Sequence, residues 1–240
     1  MSMSTDWKNR LYNLKILNLK ISNTLLLLII VASLTECKKD ELKIIDIDGN
    51  SYHIVTIGTQ VWMTENLKTT KYNDGTPIPL VTDGTAWSNL SSPGYCWNGA
   101  DYGALYNWYT VNTAKVCPQG WHVPTDVEWH TLILYLDAAA SLSGYPESLI
   151  AGGKLKETGT KHWQDPNTGA TNETGFTALP GGYRSSGGFS VTGLTGIWWS
   201  SSESYVGYAW NRYLLDQFSG IGRYADPKGN GNSVRCLKDK

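Results

Sequence analysis

The residues of this 240-residue chain that could carry chemistry are four histidines, four cysteines and a few closely spaced carboxylates. His53, His122, His130 and His162 are scattered, and neither a His-Glu-x-x-His zinc helix nor a Gly-x-Ser-x-Gly nucleophile turn occurs. Cys37, Cys96, Cys117 and Cys236 make no Cys-x-x-Cys pair, and no histidine stands at zinc-ligand spacing from them. Asp46-Ile47-Asp48-Gly49-Asn50 opens like a calcium loop but lacks the later carboxylates and the closing glutamate, so it reads as a turn. No catalytic group, metal site or cofactor is expected from these patterns.

The elements that position such residues centre on Cys117 to Leu136. Thr125 stands three residues before Glu128, the spacing of a capping box in which each side chain meets the other's backbone N–H. Pro124 disfavours helical geometry at Val123, and Asp126 and Glu128 place negative charge at the positive end of the helix dipole. Val127, Trp129 and Leu132 to Leu136 follow, which predicts a helix buried on more than one side, with His122 and His130 as structural residues at its flanks. The density of Trp, His and acid here makes it the first place to look for function.

Composition narrows the classes. A net charge of −1 with 17% charged residues leaves no electrostatic case for nucleic acid. Eleven Trp, 14 Tyr and 25 Gly against 3 Phe point to a loop-rich fold with amphipathic rings, some filling the core and some lining a binding face. Lys8, Arg10, Lys15 and Lys20 precede the apolar run Leu25 to Val31, too short to span a bilayer and of export-signal type. Leu34-Thr35-Glu36-Cys37 resembles a lipobox, so residues 1–36 are expected to be a lipoprotein signal peptide, Cys37 the lipidated N-terminus, and residues 37–45 a tether. In an oxidising compartment one disulfide is then expected, and Cys117 with Cys236 is the preferred pair, with Cys96 an alternative partner for either. Closing so long a loop is worth about 4 to 5 kcal/mol.

Along the rest of the chain, Tyr52 to Ile57 and Gln60 to Glu65 predict a hairpin turning at Gly58-Thr59. Ala104 to Val111 fits a short helix or a strand, Tyr145 to Glu157 a weaker helix softened at Gly152-Gly153, and residues 158–196 a loop-dominated stretch. Strands return at Ile197 to Ser200, Tyr208 to Leu214, Ile221 to Tyr224 and Ser233 to Leu237. Between Glu203 and Asn232 the chain sets Tyr205, Tyr208, Trp210, Asn211, Tyr213, Asp216, Gln217, Phe218, Ser219, Arg223, Tyr224, Asp226, Lys228, Asn230 and Asn232 among small residues. Tyr, Trp, Asn, Ser and Gly are the residues of adaptable paratopes, and rings beside amides and carboxylates also suit a sugar. Inward alternation of Trp198, Trp210 and Tyr213 would assign part of the set to the core.

Several motifs carry a family resemblance: Gln60-Val61-Trp62-Met63-Thr64-Glu65-Asn66-Leu67, Gly103 to Tyr109, Cys117-Pro118-x-Gly120-Trp121-His122-Val123-Pro124-Thr125-Asp126-x-Glu128-Trp129, Leu179 to Arg184, Trp199 to Glu203 and Ser233-Val234-Arg235-Cys236. Together, from about Asp46 to Lys240, they resemble the Fibrobacter succinogenes major paralogous domain family, largely exported proteins and lipoproteins of Bacteroidota-like bacteria. More distantly, Val123-Pro124-Thr125-x-x-Glu128-Trp129 and Val234-Arg235-Cys236 are similar to the C-type-lectin-like and formylglycine-generating-enzyme-like fold. That resemblance implies an α+β domain over residues 46–240: a small twisted antiparallel sheet, two helices and long loops forming one binding face. It also implies a bond from the first helix to the last strand, as in the Cys117–Cys236 pair. The reactive cysteine pair of the formylglycine-generating enzyme and the Glu-Pro-Asn, Gln-Pro-Asp and Trp-Asn-Asp signatures of sugar-binding lectins are missing.

Where the family commonly has aromatic residues, this sequence has Asp226, Asn230 and Asn232, while Arg223, Lys228 and Ser233 to Cys236 stay. Change confined to one face resembles the regions written by diversity-generating retroelements. The expectation is a lipid-anchored protein of the outer membrane or cell surface, without catalytic activity, that binds a carbohydrate or protein ligand. The ligand residues are expected to be Tyr205, Tyr208, Asn211, Tyr213, Asp216, Gln217, Ser219, Arg223, Tyr224, Asp226, Asn230 and Asn232. The competing expectations are a polysaccharide-processing enzyme or accessory and a structural surface protein.

Overall fold

The computed structural model describes residues 42–240; the expected signal peptide and Cys37 lie outside them. Two hydrophobic clusters, one on each side of the longest strands, organise the domain. The alternating Ser51–Ile57 (β2) and Gln60–Met63 (β3) form the expected hairpin, with Gly58 at φ +61° in its turn. Lys43–Ile45 (β1) adds an antiparallel edge to β2, so the sheet begins inside the stretch expected to be tether. The other side of β3 pairs with Leu237–Lys238 (β13), which in turn pairs with Trp121–His122 (β6), so both ends of the described chain share one five-stranded sheet.

A second five-stranded sheet holds Tyr95–Trp97 (β4), Ala104–Asn107 (β5), Tyr183–Ser185 (β7), Gly188–Ser190 (β8) and Gly231–Asn232 (β12), in the order β4-β5-β12-β7-β8. Thr195–Tyr205 (β9), Tyr208–Leu215 (β10) and Gly222–Pro227 (β11) make an antiparallel meander. Among the described residues there are four short helices: Gly84–Ser88 (α1), Trp108–Val111 (α2), Asp126–Leu136 (α3) and Ala151–Leu155 (α4). The class is α+β, but three sheets and four helices replace the expected single small sheet and two helices.

Local chemistry explains the departures. Ala104 to Val111 is both strand and helix, because Asn107 ends β5 in extended geometry and its side chain caps α2 by accepting from the Thr110 N–H. The helix expected from Tyr145 to Glu157 contracts to Ala151–Leu155. Gly152-Gly153 is a close approach rather than a soft spot, since a Cβ there would stand 2.1 Å from the Gly220 carbonyl oxygen or 2.2 Å from that of Gly169. Residues 158–196 contain the β7–β8 hairpin, whose Arg184 donates to the carbonyls of Val81, Thr82 and Asp83 and lies over Trp87. Helix α3 buries a single stripe of Asp126, Trp129, Leu132, Ile133 and Leu136, leaving Val127, Leu134 and Tyr135 exposed. Burying each of its large apolar side chains stabilises by about 1.5–3 kcal/mol.

Cys117 and Cys236 form the disulfide, with their Cα atoms 5.9 Å apart, and Cys96 is a buried free thiol.

Candidate functional site

The chemically dense front of α3 is closed in structure. The capping box forms as its spacing predicts, with Glu128 N–H donating to Thr125 Oγ1 at 3.2 Å and Thr125 N–H to Glu128 Oε2 at 2.9 Å. His122 adds Nε2 contacts of 3.1 Å to the same carboxylate and an Nδ1 contact of 2.6 Å to Asp239. Burial works to raise the Glu128 carboxyl, but the Thr125 and His122 donors outweigh it and hold the group below its ordinary value. Asp126 sits at the first helical position and accepts from Arg212 Nη1 at 2.7 Å and from Arg223 Nη2 and Nε at 2.7 and 2.9 Å. Burial there is likewise outweighed, by Arg223 and Arg212, so the Asp126 carboxyl also titrates low.

Arg212 Nε stands 2.6 Å from Glu147, whose other oxygen meets His130 Nδ1 at 2.5 Å; Arg212 and Glu147 are both fully buried. Arg223 also stacks on Trp210, 3.3 Å from its ring centroid. A second buried cation, Arg235, lies over Phe176 and donates to Asn66 and to the carbonyls of Phe176 and Thr177. Desolvation pushes Arg235 down to about 9. Asn66 is shared further, accepting from Trp198 Nε1 and donating to the Tyr102 carbonyl and Ser233.

An open cleft of about 390 Å³ lies between the loop at Tyr145 to Leu149 and the β10–β11 turn. Its walls are Tyr145, Pro146 and Leu149 on one side and Tyr213, Leu215, Phe218, Ser219, Gly220 and Gly222 on the other. Tyr145, Leu149 and Phe218 are 77%, 71% and 59% exposed, large apolar surfaces open to water. Gly222 is required beneath the Tyr213 ring, because a Cβ would lie 2.1 Å from its Cζ. Burial, then the Tyr145 hydroxyl, push the Tyr213 phenol upward, so it is a neutral donor at ordinary pH.

Buried groups hold both walls. Ser148 and Ile221 exchange backbone hydrogen bonds across the cleft's base, and Ser219 Oγ donates to the Leu149 carbonyl. Lys156, buried and lowered to about 8 by desolvation, donates Nζ to the carbonyls of Thr168, Leu215 and Phe218 at 2.9–3.0 Å. Glu147, between the lining residues Pro146 and Leu149, ties the opposite wall to Arg212 and His130.

The twelve residues expected to meet a ligand divide. Tyr213 and Ser219 line the cleft. Tyr224 is exposed, as is Gln217. Tyr205 and Tyr208 stack at 4.5 Å between centroids on the β9–β10 hairpin, beside the 92%-exposed Val206. Asn211, Asp216 and Asn232 are buried, which corrects their expected place on the surface. Asp226 is likewise turned to its own fold, its Oδ2 accepting from Asn211 at 2.8 Å and Asn232 at 3.0 Å with Asn230 also bonded to it. Arg223 is spent on Asp126, and Asn230 is half-buried. Strand alternation does not explain the division, since buried Asn211 pairs directly with exposed Tyr224 on one face of the β10–β11 ladder; what separates them is that Asn232 of β12 packs on the Asn211–Asp226 end of that face. Tyr145, Pro146 and Leu149 were not legible as site residues, because they come from a loop some 70 positions upstream of Tyr213 and carry no local pattern.

The Fibrobacter succinogenes major domain model matches residues 55–238. The chain belongs to that family. No curated protein and no solved structure matches the chain. Within this family member the shared motifs map onto the interior: Trp62, Trp129 and Trp199 are buried, Asn66 and Arg235 interlock, and Cys117 bonds Cys236. The cleft walls fall outside those motifs.

Proposed function

We propose that this family member is an exported, lipid-anchored protein of the outer membrane or cell surface that binds a carbohydrate or protein ligand without catalysing a reaction. The observation that carries the reading is the cleft: exposed rings of Tyr145 and Phe218 beside the half-buried ring of Tyr213, on walls held by buried ions, a pre-formed apolar surface with hydroxyls at its rim. Such walls suit the apolar face of a sugar ring or a ring-bearing side chain of a protein.

The finer fold reading, C-type-lectin-like or formylglycine-generating-enzyme-like, is part of the proposal. It is supported by the terminal strands meeting in one sheet, by the capped α3, and by the Cys117–Cys236 bond between the segment leading to α3 and the chain's end. Retroelement diversification, where present, would act on exposed positions such as Tyr205, Gln217 and Tyr224, since Asn211 and Asn232 are packed inside. A reverse transcriptase gene with an adenine-rich template copy beside the locus tests it.

A glycan array with the full chain, repeated with Tyr145→Ala and Tyr213→Ala, tests the function. Retention of a glycan by the native chain and loss by both variants, with unchanged thermal midpoints, is the expected result. Turnover of a bound glycan would convert the reading to an enzyme. Retention unaffected by either substitution would move the site elsewhere, and no retention by the native chain would leave a protein ligand, tested by capture with the same variants. Mass analysis of the mature N-terminus tests acylation at Cys37.

A further inference from the structure

Strand β11 has a strand on one side only: β10 pairs with it, and among the described residues no strand takes its other edge. In an antiparallel pair, successive residues turn their backbone N–H and C=O alternately toward the partner and away from it. Lys228 N–H donates to the Gly207 carbonyl at 2.9 Å, one step beyond the Tyr208–Pro227 pair of the β10–β11 register. Counting back by twos, Asp226, Tyr224 and Gly222 bond β10, whereas Ala225 and Arg223 face outward. Strand β9 gives the same parity. Trp199 N–H leaves the meander for the Ser233 carbonyl, so Trp198 bonds Arg212, and Asn211 and Tyr213 on either side of Arg212 bond β11. The next outward residue, Ile221, exchanges hydrogen bonds of 2.9 and 3.3 Å with Ser148. That pairing goes no further, because Pro146, which its register sets against Arg223, has no N–H to give and turns into the cleft. Arg223 and Ala225 are thus left with two N–H and two C=O groups that have no backbone or side-chain partner among the described residues.

We propose that the free edge of β11 takes up an extended peptide segment of a protein ligand as an added strand, with an apolar side chain of that segment at the mouth of the cleft. The proposal rests on the reading of the cleft as a ligand site and narrows that ligand to a protein. Partial charges alternating along the edge, N–H positive and C=O negative at strand spacing, are complementary to another main chain and not to a sugar ring. The added strand continues a pairing that Ser148 already begins at Ile221. The devices that commonly guard an edge are missing from this stretch: the Arg223 charge is turned onto Asp126 and Trp210, and the one proline of the strand, Pro227, stands at its far end. Side chains supply the selection. Tyr213, Gly222 and Tyr224 share one face of the ladder, so the ligand residue set against Tyr224 turns its side chain to that face, beside the exposed Tyr224 ring and the cleft wall. An aromatic or aliphatic side chain suits that place.

The test is fluorescence anisotropy of the full chain with labelled peptides about eight residues long, threonine alternating with leucine, valine, phenylalanine or tyrosine, a strand pattern. The expected result is saturable binding of peptides from this set. N-methylation of one alternate set of peptide amides, those that face the edge, should abolish it, and N-methylation of the other set should not. Ala225→Pro removes an outward N–H that the fold does not use, and should weaken the peptide about tenfold with the thermal midpoint unchanged. Ala225→Val keeps that N–H and should bind as the native chain does. Should Ala225→Pro disturb folding, the two N-methylated peptides decide on the native chain alone. No binding by the native chain, or equal binding of both N-methylated peptides, would overturn the added strand. Binding lost in Tyr145→Ala but indifferent to N-methylation would also overturn it, while leaving the cleft as the ligand site. A dimer of the native chain that Ala225→Pro separates would assign the edge to a second copy and overturn the peptide.

Discussion

The front of α3 and the cleft beside Tyr145 are built from different kinds of residue, polar and charged at the first and aromatic and aliphatic at the second, and the fold treats them in opposite ways. At the front of α3, Thr125, Asp126, Glu128 and His122 all meet partners inside the protein. At the cleft, Tyr145, Leu149 and Phe218 keep most of their surface in water. The difference teaches that density of chemical groups along a chain marks where the fold is specified, whereas binding capacity appears where side chains are left over once the fold is satisfied. Buried ions link the two regions, because Arg212 pairs with Asp126 at the helix and with Glu147 behind the cleft wall.

That contrast can be broken at several points. Replacing Cys117 and Cys236 by Ala should have the largest effect, about 4 to 5 kcal/mol in the chain-entropy account, read as a lowered denaturation midpoint. Arg212→Met removes the only arginine that, among the described residues, stands beside fully buried Glu147, leaving it His130 alone and Asp126 Arg223 alone, and should cost about 3–5 kcal/mol by chemical denaturation. Acid sharpens the same point. Asp126 titrates below its ordinary 3.8, so its contribution is present above about pH 4 and is lost as pH falls through the folded value. A stability-versus-pH curve should therefore fall steeply on that limb in the native chain, and less steeply in a variant lacking both Arg212 and Arg223. Thr125→Ala should cost about 1 kcal/mol through the lost cap. Tyr145→Ala should be the mildest for stability, within about 0.5 kcal/mol by thermal denaturation, because its ring is a surface group. A large loss there would mean that the cleft, too, is scaffold.

Much of the fold was legible in local chemistry. The capping box, the Gly58 turn and the strands at Trp198–Trp199 and Tyr208 to Leu214 follow from spacing alone, and the Cys117–Cys236 bond was among the pairings left open. Legibility failed where a distant backbone made the decision. Gly152-Gly153 looked like a weak helix centre, yet it is where Gly220 and Gly169 pass too close for any side chain. Asn211 and Asn232 looked like surface amides because polar residues in a Gly-rich stretch usually are, but the packing of β12 beside the β10–β11 ladder buries them against Asp226. Lys156 and Glu147 gave no signal at all, since a buried ion is recognisable only once its acceptors are in place.

The sequence by itself determined the elements whose causes are local: helix starts set by caps, turns set by glycine, and membership of a family set by motifs that fill the core. Only the tertiary structure decided which polar residues face a ligand. A cleft is the meeting of Tyr145 to Leu149 with a turn some 70 residues later. Whether a side chain at such a junction is buried, paired or free depends on what the other segment leaves uncovered.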